Sequence, residues 1–291
     1  MEWTSGSPGP YGVEDFGGGL QYASAIIFIL AVHEFGHYFA ARYHKVDATL
    51  PYFIPFPPIP IFLNFGTLGA VIKTRSQILN NKAMFDIGVS GPIAGFFACL
   101  IVLIYGFSTL PGTEYILAIH PDYFDPDYGR NAMALQFGDT LLYSFLKGIF
   151  VSPDQFIPPM SEIYHYPFLC VGWFGLFVTA MNMIPVGQLD GGHIIYSMFG
   201  TKVHNNVSAL SLLTITVVGV FGVVNAVLET NIGFGWSGWL FWALILYFVI
   251  KMQHPPVPYF EPLGKGRMIL GWISIIILML SFSPTPFVLT I

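Results

Sequence analysis

The sequence predicts an all-α polytopic membrane protein with about six transmembrane helices and a small membrane-associated β-hairpin after the first helix. Three observations carry that reading. Only 9% of the 291 residues are charged while 54% are hydrophobic, against about 25% charged in an ordinary soluble domain. The mean hydropathy of +0.66 leaves too little polar side chain to coat a soluble globule. Apolar runs also recur at about the 20-residue length that crosses hydrocarbon as a helix. These features exclude a soluble enzyme and a disordered chain, and a net charge of −5 offers no basic field for nucleic acid.

The N-terminal tail, residues 1–19, lacks a basic segment followed by an apolar core, so no cleaved signal peptide is expected. Six runs then qualify as spans: Leu20 to Ala41, Ala83 to Phe107, Pro167 to Ile184, Val207 to Leu228, Phe234 to Ile250 and Met268 to Phe282. Nine of the 11 Lys and Arg residues fall in the loops after the first, third and fifth runs; only Arg130 and Lys147 fall in the loop after the second. The positive-inside rule makes those odd-numbered loops cytoplasmic and puts both termini outside. Residues 108–166 then form a long extracytoplasmic loop.

The loop after the first run is more than a linker. Leu50 to Leu63 is too apolar for a solvated loop, and its prolines at 51, 55, 57, 58 and 60 forbid a helix. Gly66 to Arg75 follows with enough β-branched residues to read as a strand. Residues 47–76 therefore read as a β-hairpin or re-entrant segment. Non-helical backbone at that depth is tolerated only against protein or a wet cavity, so something hollow should lie beside it. An extended peptide could add to this strand at Gly66, Thr67, Gly69 and Val71 by β-augmentation.

Ionisable groups inside spans are costly and call for partners. The first run carries His33-Glu34-Phe35-Gly36-His37. Four residues bring a helix about 40° past one turn, so both imidazoles project from one face and can share a tetrahedral metal. Glu34 turns off that axis, where a carboxylate can take a proton from an attacking water. One protein ligand is then missing. Asp190 is placed to supply it: the first and third runs cross in the same direction, and Asp190 follows the inner end of the third. Pro185 and the Gly191-Gly192 pair break the helix there and leave the carboxylate on irregular backbone.

His33-Glu34-Phe35-Gly36-His37, an HExxH, together with Asn182-Met-Ile-Pro185-Val-Gly-Gln-Leu189-Asp190-Gly191, an NxxPxxxLDG, resembles the site-2 protease family of intramembrane zinc metalloproteases. Gly91-Pro92-Ile93-Ala94-Gly95 resembles a GPxxG element of the same family. The resemblance covers about residues 20–193, the family's three-helix catalytic core, and leaves 194–291 as additional C-terminal transmembrane helices. It implies one zinc per chain held by His33, His37 and Asp190, Glu34 as catalytic acid and base, and Asn182 as a catalytic polar residue facing the site. It also implies hydrolysis of peptide bonds in or near the transmembrane segments of single-pass substrates, in a multi-pass protein whose active site lies toward the cytoplasm. A bacterial inner membrane is expected over a plastid one. The sequence departs from the family in lacking a PDZ-like insert between core helices and a CBS pair after them.

Two other classes use comparable ligands. A CAAX-type membrane zinc peptidase needs a glutamate from a later helix, and Glu229 and Glu261 stand at span boundaries without a companion motif. A non-catalytic metal carrier or scaffold could use the same ligands without cleaving anything. The remaining groups read blandly. Cys99 and Cys170 are small buried hydrophobes, and His193, three residues past Asp190, reads as a solvated loop residue in preference to one that supports the metal ligands. His44, His120, His165, His204 and His254 sit in loops or at span edges without metal spacing. Gly91 and Gly95 are a close-packing pair, Asp86 is an interfacial acid favoured by a helix N-terminus, and the abundant aromatics face lipid.

Overall fold

A computed structural model describes residues 16–55, 67–129, 134–228, 230 and 232–290. It is mainly helical. Helix α1 (Phe16–Tyr43) is followed by a hairpin of β1 (Tyr52–Pro55) and β2 (Thr67–Val71), then by α2 (Asn81–Ser108). The loop beyond holds α3 (Thr113–Ile119), β3 (Ala134–Phe137) and α4 (Leu141–Phe150). Next come α5 (Pro167–Met183), α6 (Asp190–Leu228), α7 (Ser237–Ile245, continued by a π-helical turn to Ile250), α8 (Lys265–Ser281) and β4 (Phe287–Thr290).

Every run expected to span falls on a helix. Three of the described helices are long and apolar enough to cross a membrane: Gly17–Tyr43, Asn81–Ser108 and Asp190–Leu228. The helices Pro167–Met183 and Ser237–Ile250 are apolar but shorter. Lys265–Ser281 has 17 residues. The fourth run begins earlier than its apolar stretch suggests, because α6 starts at Asp190 and is interrupted only at Gly200 (φ 78°, ψ 178°). Its C-terminal half turns Leu210, Leu213, Val217 and Val220 outward, an arrangement that suits hydrocarbon and not water.

Helix α2 is the hub, packing against α1, α5 and α6. The Asn80 side chain caps it by accepting from the Ala83 amide, which satisfies one orphan donor of the first turn. Pro92 lies inside it, as lipid-embedded helices allow when neighbours satisfy the freed carbonyl. The main core runs between α1, α2 and α5 through Ile29, Cys99, Leu103, Leu169, Cys170 and Leu176. Both cysteines are buried and unbridged.

The expected hairpin is antiparallel, pairing Tyr52 with Val71, Phe53 with Ala70 and Ile54 with Gly69, with a bulge before Pro55 pairs with Thr67. A bridge between Ala48 and Thr74 and bonds from the Thr49 amide to Lys73 O and the Arg75 amide to Asp47 O lengthen the ladder. Gly66 lies outside the described residues. A second pairing, unanticipated from sequence, joins β3 to β4 from Ala134↔Thr290 to Phe137↔Phe287. It anchors an aromatic cluster in which Phe287 meets Phe137, Trp173, Phe177 and Trp236. Many aromatics thus pack inward, correcting the expectation that they serve the lipid face.

Candidate active site

His33 and His37 lie one helical turn apart on α1, and both are buried. Their Nε2 atoms are 3.1 Å apart. The chain turns sharply at Ile184–Leu189, and α6 begins with Asp190, whose Oδ2 lies 3.5 Å from each of those Nε2 atoms. Asp190 is therefore the first residue of a helix, a correction to the irregular backbone expected for it. Gly191 is required at that turn because a Cβ would strike the Met183 carbonyl.

The three ligand atoms suit a metal. Tetrahedral zinc with bonds of about 2.0–2.1 Å puts neighbouring ligand atoms about 3.3–3.4 Å apart, and the observed edges are 3.1, 3.5 and 3.5 Å. The tautomer suits it too. His37 Nδ1 lies 2.7 Å from the Ile87 carbonyl; a carbonyl only accepts, so Nδ1 carries the proton and Nε2 presents its lone pair. Two small residues of α2 make room for the rings. A Cβ at Gly91 would occupy the place of His37 Nε2, and one at Gly95 would come within 2.9 Å of His33 Nδ1. The four-residue spacing of the glycines thus mirrors that of the histidines on an antiparallel neighbour. Gly91 and Gly95 do permit close packing, but what they admit is a pair of imidazoles.

A cavity of about 530 Å³ opens onto this triad. Glu34 lines it, as do Asn182 from the last turn of α5, Gln188, and Ala70, Val71 and Ile72 at the end of β2. Ile72 and Glu34 both line it, which sets the end of the hairpin beside the HExxH helix. Of the strand positions singled out from sequence, Val71 borders the cavity, whereas Thr67 and Gly69 lie farther back along β2. The cavity places hollow space beside the hairpin.

His193 is not a solvated loop residue; it is in the first turn of α6 and lines the cavity. Its Nδ1 lies 2.7 Å from His254 Nε2, and His254 Nδ1 lies 2.7 Å from the Pro255 carbonyl. Since that carbonyl accepts, the His254 Nε2 is bare and His193 Nδ1 donates to it. Burial, then the neighbouring His193, pushes His254 down to about 3, so it stays neutral, stacked on Tyr196 at 4.0 Å. The place of His193 three residues past Asp190 allowed a role beside the metal ligands to be weighed from sequence, but the pairing with His254 was missed because 61 residues separate the two.

The other histidines likewise have partners. His204 Nε2 lies 3.2 Å from the Gly187 carbonyl. His44 joins Asp86 at 2.8 Å, and Arg267 grips the same carboxylate at 2.8 and 2.7 Å. Asp86 is therefore an ion-pair partner beyond any helix-end effect. His120 and His165 meet each other and Glu162. Glu261 is held by Lys82, Glu229 lies outside the described residues, and the carboxylate that stands beside the two histidines is that of Asp190.

A family model described as peptidase family M50 matches residues 21–224. A probable zinc metalloprotease EGY2, chloroplastic, of Oryza sativa subsp. indica is 28% identical over 276 residues, 92% of this chain and 43% of that protein. The probable zinc metalloprotease EGY1, chloroplastic, of Arabidopsis thaliana is 29% identical over 271 residues, 91% of this chain and 43% of the relative. An Arabidopsis thaliana probable zinc metallopeptidase EGY3, chloroplastic, is 25% identical over 267 residues, covering 88% and 41%. The chain thus spans little more than two fifths of the length of these relatives. Their names place them in chloroplasts, which pulls against the bacterial membrane expected from sequence. No solved structure matches the chain.

Proposed function

The chain belongs to peptidase family M50, and from that premise we propose that it is a zinc-dependent endopeptidase of the site-2 protease type. It would hydrolyse peptide bonds within or beside the transmembrane segments of single-pass membrane proteins. The observation supporting this reading is the meeting of two imidazoles and a carboxylate, at edges suited to tetrahedral zinc, in a cavity that also holds Glu34. His33, His37 and Asp190 would hold the zinc, which when bound would supply Lewis acidity toward water and toward a peptide carbonyl.

The chain's own residues do the rest. Glu34 accepts the proton of the attacking water and returns it to the departing amine. Ile87, through His37 Nδ1, holds that ring with its lone pair inward. Asn182 donates to the oxygen on which charge develops. A helical substrate hides its amides and must unwind. The edge of β2 not paired to β1 offers hydrogen-bonding groups to the extended form, and its last residues border the cavity. The protein is read as multi-pass, its site opening toward the side that carries the basic loops.

The test is Glu34→Gln in the full chain reconstituted into vesicles with a single-pass substrate. The expected outcome is unchanged zinc content with cleavage reduced about 10²–10⁴-fold, the usual worth of a positioned general acid–base. Undiminished cleavage would sink the assignment of Glu34. Metal flux across the vesicle without proteolysis would favour the carrier reading instead.

A further inference from the structure

We propose that the chain holds a second divalent metal, zinc-class, on His120, Glu162 and His165, at the end of α5 opposite the first site. His165 lies two residues before α5, whereas Asp190 follows its far end; 17 helical residues separate the two groups by about 26 Å. His120 ends α3. Glu162 and His165 bracket a 3₁₀ turn, Ile163–His165, which puts them on one side of the backbone at i and i+3.

The ligand atoms face one another. His120 Nε2 lies 3.0 Å from His165 Nε2, and His165 Nε2 lies 3.4 Å from Glu162 Oε2. These match the corresponding edges of the first site, 3.1 and 3.5 Å. All three donors fall within 4.8 Å of one another. The carboxylate is the second, independent observation. Glu162 is only 6% exposed, and among the described residues its Oε2 has no hydrogen-bond partner. A buried carboxylate oxygen left bare is costly. One proton between the two imidazoles would satisfy that pair and leave Oε2 with only the 3.4 Å approach of His165 Nε2 and no hydrogen bond; a cation at the centre engages all three donors. Two imidazoles and a carboxylate suit zinc and its borderline neighbours.

The surroundings fit a site that is walled but reachable. The Tyr128 hydroxyl, its pKa raised by burial and then by Glu162, stays a phenol and donates to Glu162 Oε1 at 3.4 Å. The Tyr115 hydroxyl donates to the His165 carbonyl at 2.8 Å. His120 is half-buried, so an ion enters beside it. The bound metal would staple the end of α3 to the start of α5 across 45 residues of chain, where closing a long loop removes the most unfolded-state freedom. It would hold the segment carrying β3 and α4 against the helices.

This inference does not rest on the proteolytic reading, and its test needs no substrate. The full chain, purified in detergent, is loaded with Zn²⁺, dialysed and assayed for metal. The expected result is two equivalents in the unaltered chain and one in Glu162→Gln or His120→Asn. The half-buried His120 guards against a Glu162 variant that fails to fold. In a His37→Ala background, Co²⁺ should give the visible absorption of a tetrahedral centre, and adding His120→Asn should weaken that binding at least 100-fold. A single equivalent in the unaltered chain, lost with His37→Ala, would overturn the proposal. So would a second equivalent that survives both His120→Asn and Glu162→Gln.

Discussion

Helices α1 and α2 border two groups of titratable side chains, one half-buried and one buried, that find their partners in opposite ways. His37 lies on α1 and His44 just past its end, its amide still bonded to the Ala40 carbonyl, so the two stand seven residues apart, about two turns and therefore on one face. Across from His44, Asp86 receives two bonds from Arg267 and one from His44 itself. Across from His37 come Asp190, His33 and Glu34, and among the described residues lining that cavity there is no lysine or arginine. The first group carries its own cation and acts as a latch between α2 and α8. The second assembles two carboxylates and two imidazoles around a space the protein does not neutralise. Partner choice, together with deeper burial, separates a site built for an external cation from a structural ion pair.

The largest expected effect exploits that difference. Asp190→Asn removes the anionic ligand and should reduce both zinc content and proteolysis to background, as metal analysis and vesicle cleavage would show. Asp86→Asn, equally a carboxylate-to-amide change, should leave the zinc in place. If both variants kept zinc, the distinction between the two groups would fail.

A subtler change tests the packing behind the first group. Gly91→Ala puts a methyl where the His37 ring sits and should weaken zinc about 10–100-fold, the usual cost of disturbing a ligand's support. Competition with a chelator of known affinity measures it. An unchanged affinity would mean that α1 and α2 can part without moving the ligand.

For the latch, Arg267→Met strands Asp86 without its bidentate partner. A fully buried broken pair costs about 3–5 kcal/mol. Here the two side chains are 34% and 22% exposed, so solvent screening reduces the expected loss to about 1–3 kcal/mol. Denaturation in detergent should show that loss with zinc stoichiometry unchanged.

The smallest effect concerns a polar group that uses neither strategy. His254 is neutral and buried, with its pKa lowered to about 3 from the ordinary 6.5. Because the folded value is the depressed one, its contribution is complete above about pH 6.5 and drains away as pH falls toward 3. Linkage caps the loss at about 2 kcal/mol by pH 5. His254→Gln should flatten that part of the stability–pH curve; an unaltered curve would remove His254 as its source.

How much could be read in advance follows from distance along the chain. His33 and His37 were legible because helical periodicity alone places them together, and Asp190 because the residues around it form a motif. The helices were legible because lipid demands long apolar runs. The hairpin at residues 47–76 showed itself through prolines that exclude a helix and a following β-branched stretch. Other partnerships left no local trace. Asp86 and Arg267 are 181 residues apart, and β3 and β4 each look too short and plain to seek a partner. His120 and His165 show no metal spacing because 45 residues lie between them.

The sequence by itself determined that this chain is a membrane protein, where its helices run, and that two histidines of α1 face one way, since hydropathy and helical geometry are local properties. The tertiary structure alone decided which carboxylates meet an arginine and which meet imidazoles, why Gly91 and Gly95 are small, and that α3 and α5 bring a second set of donors together. Those outcomes depend on how helices pack across tens of residues. Close packing, unlike periodicity, is settled only when every neighbour is in place.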